Sequence, residues 1–170
     1  MITAIIETRN DEVGLAHALA ALVPAATEGV IRDVIVIDHG SEDGTLTVAD
    51  AAGCTIVDAG RVDDARRAAV EQARGDWLFF TSSQTLPPEW QADALAFIDR
   101  TMVGGRAQRQ SAMFRGGRFP SSPLTRLLSA LRGDRTARLV AKSAWLAENP
   151  RAAKRASAPS SVSGARRGAA

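Results

Sequence analysis

Between Val34 and Thr45 four β-branched residues, Val34-Ile35-Val36-Ile37, run into an acid, Asp38, and then through the polar, glycine-bearing stretch His39-Gly40-Ser41-Glu42-Asp43-Gly44 into a helix-like segment. An unbroken apolar run of strand length is what a strand buried on both faces requires, and such strands belong to parallel sheets with helices on either side. A strand that ends in an acid and a polar loop delivers those groups to the carboxyl edge of the sheet, where open α/β folds bind ligands.

The rest of the first hundred residues agrees with that frame. Thr3–Glu7 reads as a first strand. Asp11–Leu22 places Val13, Leu15, Ala16, Leu19, Ala20, Leu22 and Val23 near helical period, with Pro24 as the expected stop. Asp43–Ala52 reads as a helix closed by Gly53, Thr55–Val57 as a strand, Asp63–Arg74 as a helix closed by Gly75, and Trp77–Phe80 as a fourth, wholly apolar strand. Pro87-Pro88-Glu89-Trp90 opens a helix to about Arg100. Strand and helix alternating at this spacing predict βαβ units on a mostly parallel sheet flanked by helices, with the connections at 8–12, 38–43, 58–62 and 81–86 on one edge. Beyond residue 100 the expected elements are a hairpin around Ala107–Phe114, a helix over Pro123–Leu131, a last strand over Ala137–Lys142 and a helical turn or two over Ser143–Glu148. Residues 1–150 are read as one domain. The tail 151–170 carries five basic and no acidic residues and too few apolar ones to build a core, so disorder is expected.

Charge is divided unevenly along the chain. Residues 1–99 hold 6 Lys/Arg against 17 Asp/Glu, and residues 100–170 hold 15 against 2. Mutual attraction of the halves accounts for this, and an anion-binding second half is the functional alternative. The ten basic residues of 100–142 are interleaved with only Phe114 and Phe119, a poor stacking platform, so no nucleic-acid partner is expected. The single cysteine, Cys54, excludes an internal disulfide framework and suggests a reducing compartment. With no span-length apolar run and no basic, apolar leader at Met1–Glu7, a cytoplasmic location is expected.

Several segments together resemble family 2 glycosyltransferases. Ile5-Ile6-Glu7-Thr8-Arg9-Asn10-Asp11-Glu12 is similar to that family's apolar-apolar-Pro-Thr-Tyr-Asn-x-Glu, and Ile37-Asp38-His39-Gly40-Ser41-Glu42-Asp43-Gly44-Thr45 to its Asp-Asp/His-Gly-Ser-x-Asp-Gly-Thr. Ala73-Arg74-Gly75-Asp76 and Leu86-Pro87-Pro88-Glu89-Trp90 match two later elements, and Gly133-Asp134-Arg135 and Leu139–Ser143 match loosely. The resemblance implies the glycosyltransferase A-type nucleotide-diphospho-sugar fold. It also implies a donor of that class, UDP- or GDP-linked, and inverting transfer of its sugar to an acceptor hydroxyl not identified by the sequence. By the same resemblance Thr8 and Arg9 line the base pocket, Asp38 accepts a hydrogen bond from base or ribose, and His39 stands beside it. Asp38 also has a plain reading as a loop-bracing acid. Ser41 and Asp43 are read as helix-capping residues. Arg61, Arg66 and Arg67 are candidates to neutralise a diphosphate, with Arg67 taken as the site residue.

The sequence departs from the family where metal chemistry belongs. The resemblance implies Mg²⁺ or Mn²⁺ on an Asp-x-Asp or His-x-Asp motif after the fourth strand, yet aligning Leu86-Pro87-Pro88 puts Thr81 and Ser83 at those two positions. Neutral hydroxyls do not replace carboxylates for a hard cation, so no cofactor is assigned. Asp76 lies at the start of that strand, at the wrong end of the sheet. The acceptor base that the family takes from a late Glu-Asp pair is reduced to Asp134, with Glu148 in an unsuitable context. Two readings follow: a small transferase, or a member without catalysis that acts as a nucleotide-binding or protein-interaction module. A peripheral membrane or protein partner is compatible with either.

Overall fold

The computed structural model describes residues 1–60, 62–82, 89–103, 111–115 and 136–150. The order of elements is β1 (Ile2–Thr8), α1 (Glu12–Thr27), β2 (Ile31–Asp38), α2 (Thr45–Ala51), β3 (Thr55–Asp58), α3 (Val62–Gln72), β4 (Trp77–Ser82), α4 (Trp90–Val103), β5 (Ser111–Arg115), β6 (Thr136–Ala141) and α5 (Lys142–Glu148). The strands form a single sheet in the order β3-β2-β1-β4-β6-β5. β1, β2, β3 and β4 are parallel, and β6 joins antiparallel to both β4 and β5. The parallel strands therefore end on one edge, as the alternating sequence pattern predicts.

β1 is the axis of the sheet, and its two-residue repeat divides the core. Ile2, Ala4 and Ile6 face a cluster with Leu15, Leu22, Val36, Phe79 and Trp90, under α1, α2 and α4. Ile5 faces the opposite cluster with Ile35, Ile37, Val70, Leu78 and Trp145, under α3 and α5. Aromatic pairs anchor both sides: Phe79 stacks on Trp90 with ring centres 5.1 Å apart, and Phe80 on Trp145 at 6.5 Å.

Two expectations are corrected. Pro24 does not end α1, which runs on to Thr27. The proline lies on the exposed side with Ala20 and Val23, so the carbonyl its missing N–H leaves unpaired faces water. Buried Ala25 fixes the last turn to the core. The helix stops instead at Gly29, whose φ of 72° sets up two closing bonds, Gly29 N–H to the Ala26 carbonyl at 3.1 Å and Val30 N–H to the Ala25 carbonyl at 2.8 Å. A Cβ at Gly29 would meet no atom within 4 Å, so Gly29→Ala isolates the left-handed backbone cost. It should lower stability by about 1–2 kcal/mol and Tm by roughly 2–8 °C, read by thermal unfolding.

β5 pairs with β6, and residues 104–110 of the hairpin expected around Ala107–Phe114 lie outside the described residues. The second correction is one of length. The helix after Gly44 is shorter than its sequence pattern, starting at Thr45, because Asp43 stays outside it and accepts hydrogen bonds at its first turn. The last strand and helix fall where expected. The segments 123–131 and 151–170 lie outside the described residues.

Candidate functional site

Thr8 and Asp38, the last residues of β1 and β2, are register partners. By the strand repeat both face the α1/α2/α4 side, and both are buried, at 4% and 5% exposure. The Asp38 carboxylate is largely engaged by its own loop. Oδ2 accepts from the N–H groups of Gly40 (3.1 Å) and Ser41 (3.0 Å), and Oδ1 accepts from the Ser41 hydroxyl at 2.5 Å. A carboxylate offers about four acceptor positions, so one remains on Oδ1. Thr8 is the opposite case. Its Oγ1 is buried without a hydrogen-bond partner, the one such side-chain atom among the described residues.

The loop after β1 is fastened to the loop after β2. Asn10, at φ 47°, donates its N–H to Ser41 Oγ at 2.9 Å and accepts from the Glu42 N–H through Oδ1 at 2.7 Å. The Asp11 N–H meets Thr45 Oγ1 at 3.1 Å, and the Glu12 N–H meets Asp43 Oδ2 at 3.3 Å. Asp43 also takes the N–H and hydroxyl of Thr45, and the hydroxyl bond, foremost, holds its carboxyl below the usual carboxylate range. Asp43 thus accepts at the first turn of α2, whereas Ser41, expected to cap the same helix, instead bonds Asp38 and the Asn10 N–H.

On the other face of β1, Glu7 points toward α3. Arg66 grips it with two bonds, Nε to Oε1 at 2.6 Å and NH2 to Oε2 at 3.1 Å, while His39 Nε2 lies 3.4 Å from Oε2. Sequence reasoning passed over Glu7, although a signal was there: it occupies the place of a proline in the matching pattern, and strand alternation turns it away from Thr8. Arg67 pairs along its own helix with Glu71 at 3.8 Å. Arg66 reaches the end of β1 through Glu7.

The remaining candidates are placed as follows. Arg9 is exposed at the edge. The His39 N–H donates to the Thr8 carbonyl at 3.0 Å, which brings Thr8, Asp38 and His39 together. Thr81 lies on β4 opposite Ile6 and donates its hydroxyl to the Ser82 carbonyl at 3.3 Å. It is a neutral group that does not suit a hard divalent ion. Among the described residues no three His, Cys, Asp or Glu side chains gather as a cation cage. Ser83, Asp134 and Arg61 lie outside the described residues. Asp76 is at the amino end of β4, against the chain's own N-terminal amine at 3.5 Å, and Glu148 is paired with Arg138 at 3.1 Å. Burial pushes the Cys54 thiol up, away from the reactive thiolate.

Comparison with known proteins gives this edge its context. The model of glycosyl transferase family 2 matches residues 3–144. The chain belongs to that family. Within family 2 it is similar to the 4,4'-diaponeurosporenoate glycosyltransferases of two Staphylococcus aureus strains, RF122 / ET3-1 and MRSA252. Each is 42% identical over 64 residues, which is 38% of this chain and 16% of the relative. Among solved structures it is similar to glucosyl-3-phosphoglycerate synthase from Mycobacterium tuberculosis. In the form with Mn²⁺, uridine diphosphate and phosphoglyceric acid the TM-score is 0.55 at 20% identity, covering 84% of this chain and 56% of that one. A further structure of the same synthase gives 0.57 at 18%, with 84% and 58% covered. The chain thus spans little more than half the length of those structures and a small part of its curated relatives. The likeness establishes the fold, glycosyltransferase A-type with a mostly parallel sheet. No helix among the described residues is long and apolar enough to cross a membrane.

Proposed function

We propose that this family 2 chain binds the nucleotide of a UDP-linked sugar at the carboxyl edge of β1 and β2, forming the donor side of a transferase that moves the sugar to an acceptor hydroxyl with inversion. The observation that carries this reading is the Thr8 hydroxyl, buried and unpartnered beside the one open acceptor position of Asp38. A buried hydroxyl without a partner is costly in the free protein. A uracil edge offers an N–H for Asp38 and flanking carbonyls for Thr8, so the ligand would satisfy both groups. The M. tuberculosis structures holding uridine diphosphate support the choice of base. Arg66, more than Arg67, stands where it can meet the ligand. We place the protein in the cytoplasm, with residues 1–150 as one unit and no nucleic-acid partner.

A second reading is favoured by Thr81. Its neutral hydroxyl, at a position where the family supplies a metal-binding acid, fits a member that holds a nucleotide and does not transfer. Calorimetric titration with UDP, GDP and their sugar conjugates, each with and without Mn²⁺, separates the two. Metal-indifferent binding supports a pocket without family chemistry, Mn²⁺-dependent binding supports the transferase, and no binding sinks both.

Thr8→Val tests the pocket through two readouts of opposite sign. Stability of the free protein should hold or rise by about 1 kcal/mol, because an orphaned hydroxyl is removed, while UDP affinity should fall by about five- to tenfold. Unchanged affinity would mean that the hydroxyl does not touch the ligand.

A further inference from the structure

The helix α1 is apolar nearly all the way round. Its 16 residues include only Glu12, His17 and Thr27 as polar side chains. A surface helix keeps polar residues on its outer side, and a helix without them is normally covered. Leu15, Ala18, Leu22 and Ala25 face the core. The outward stripe is Val13, Ala16, His17, Ala20, Val23 and Pro24, all exposed, with Val13 at 66% and Val23 at 55%. The other helices of this layer add Leu46 on α2 and Leu95 and Met102 on α4. Of the seven large apolar residues exposed among the described residues, only Met1 and Ile56 lie elsewhere, so the apolar surface is gathered on one face.

The stripe is complementary to itself. Val13, Ala16, Ala20 and Val23 are spaced 3, 4 and 3 residues apart, a spacing that reads the same in both directions. Two copies of α1 lying antiparallel about a two-fold axis beside Ala18 therefore set Val13 opposite Val23 and Ala16 opposite Ala20, as an isologous contact requires. The alanines let the helix axes approach to about 8 Å. His17 and Pro24 share one flank of the stripe, and a two-fold pair brings like flanks together. The Ala20 carbonyl has no donor in its own helix, because the residue four places on is Pro24. The same register carries His17 of the second copy to within one residue of the point opposite Ala20, where a ring N–H can donate to that carbonyl.

We propose that the outer face of α1 seats a second copy of this chain, forming a two-fold dimer with α2 and α4 at its rim. The stripe of α1 alone measures about 24 Å by 10 Å, well short of the roughly 800 Å² per copy of a standard interface, whereas the three-helix layer, about 24 Å by 30 Å, nearly reaches it. The dimer is therefore weak, with a dissociation constant of roughly 10–100 µM. Charge argues against a lipid surface as the occupant. The exposed charged residues of the three helices are Glu12, Asp50, Asp93 and Asp99 against Arg100, whereas helices that lie on membranes are rich in Lys and Arg. Between two copies these acids repel, and salt screens them. The dimer stands apart from the nucleotide-binding reading and does not depend on it.

The test is sedimentation velocity of the full chain over about 5–500 µM, at low and at high salt, with thermal unfolding of each variant. Wild type should pass from monomer to dimer, and more readily at high salt. Ala20→Glu places like charges on either side of the axis and should raise the dissociation constant at least about tenfold. Ala16→Glu gives the same reading where Ala20→Glu folds poorly. His17→Leu makes the stripe more apolar but removes the donor, and should weaken the dimer about threefold. Ile56→Lys, on the open edge of β3, should leave it unchanged. A chain that stays monomeric throughout overturns the proposal, and so does a dimer that both glutamate variants leave intact. A dimer lost in Ile56→Lys pairs through the β3 edge instead. A tighter His17→Leu dimer means that the helices meet in another register and overturns the one argued here. Dissociation by salt assigns the association to the acidic first half and the basic second half of the chain, and overturns the apolar contact. Binding of wild type to vesicles of anionic phospholipid, lost in Ala20→Glu, makes a membrane the occupant and overturns it as well.

Discussion

Gly75→Ala should lower stability by about 3 kcal/mol, with a fall in Tm of roughly 6–12 °C in thermal unfolding. A Cβ at Gly75 would come within 2.5 Å of the Thr3 nitrogen, 2.7 Å of the Ile2 carbonyl carbon and 2.9 Å of the Met1 oxygen. All three are backbone atoms of the chain entering β1, which is paired on both sides by β2 and β4, so no side chain can swing aside to make room. The Gly75 N–H also donates to Thr3 Oγ1 at 2.8 Å, and that hydroxyl in turn donates to Asp33, which accepts from the Arg74 N–H at 3.1 Å. Pushing Gly75 away loosens this junction as well. A Tm within 2 °C or so of wild type would show that the entry to β4 has slack that the close approach denies.

Asp38→Asn should separate the two roles of the acid. An asparagine can turn its carbonyl oxygen toward the Gly40 and Ser41 N–H groups and its amide toward the Ser41 hydroxyl, which rotates to accept. The loop then survives, and stability should change by less than about 1 kcal/mol. What disappears is the open acceptor position on Oδ1 together with the negative charge, and UDP affinity should fall about tenfold. Asp38→Ala removes the brace too, leaving the donors of Gly40 and Ser41 without their acceptor, and should cost about 2–4 kcal/mol besides the binding loss. If Asp38→Asn binds UDP as well as wild type does, Asp38 braces its loop and nothing more.

The parallel half of the sheet was legible in the sequence because each strand carries its own burial signal. Val34–Ile37 and Trp77–Phe80 are apolar throughout, and both lie in strands covered on two faces. Local chemistry was legible in part: Asp43 accepts at the first turn of α2 as expected, while Ser41 turned out to hold Asp38 and Asn10 and not the helix. Pro24 misled because a proline's effect on a helix depends on which side of it faces water, which no local rule contains. The pairing of β5 with β6 was not legible, because that partner is distant in sequence and glycine pairs signal a turn without naming what pairs across it. At the candidate site, Thr8 and Asp38 could be picked out as strand-end polar residues. That one is satisfied and the other orphaned is a tertiary fact. The Glu7–Arg66 grip joins residues from β1 and α3, and neither is unusual within its own segment.

The central place of β1 also orders the birth of the protein. Of the described elements it is the earliest in the chain, yet it finds its neighbours only when β2 and then β4 have followed, and β4 in turn waits for β6 before its outer side is paired. A nascent chain therefore carries a strand destined for burial along most of its length with open edges through much of synthesis, during which it can pair with strands of other molecules. Slowed translation between β2 and β4 should therefore raise the fraction lost to aggregation.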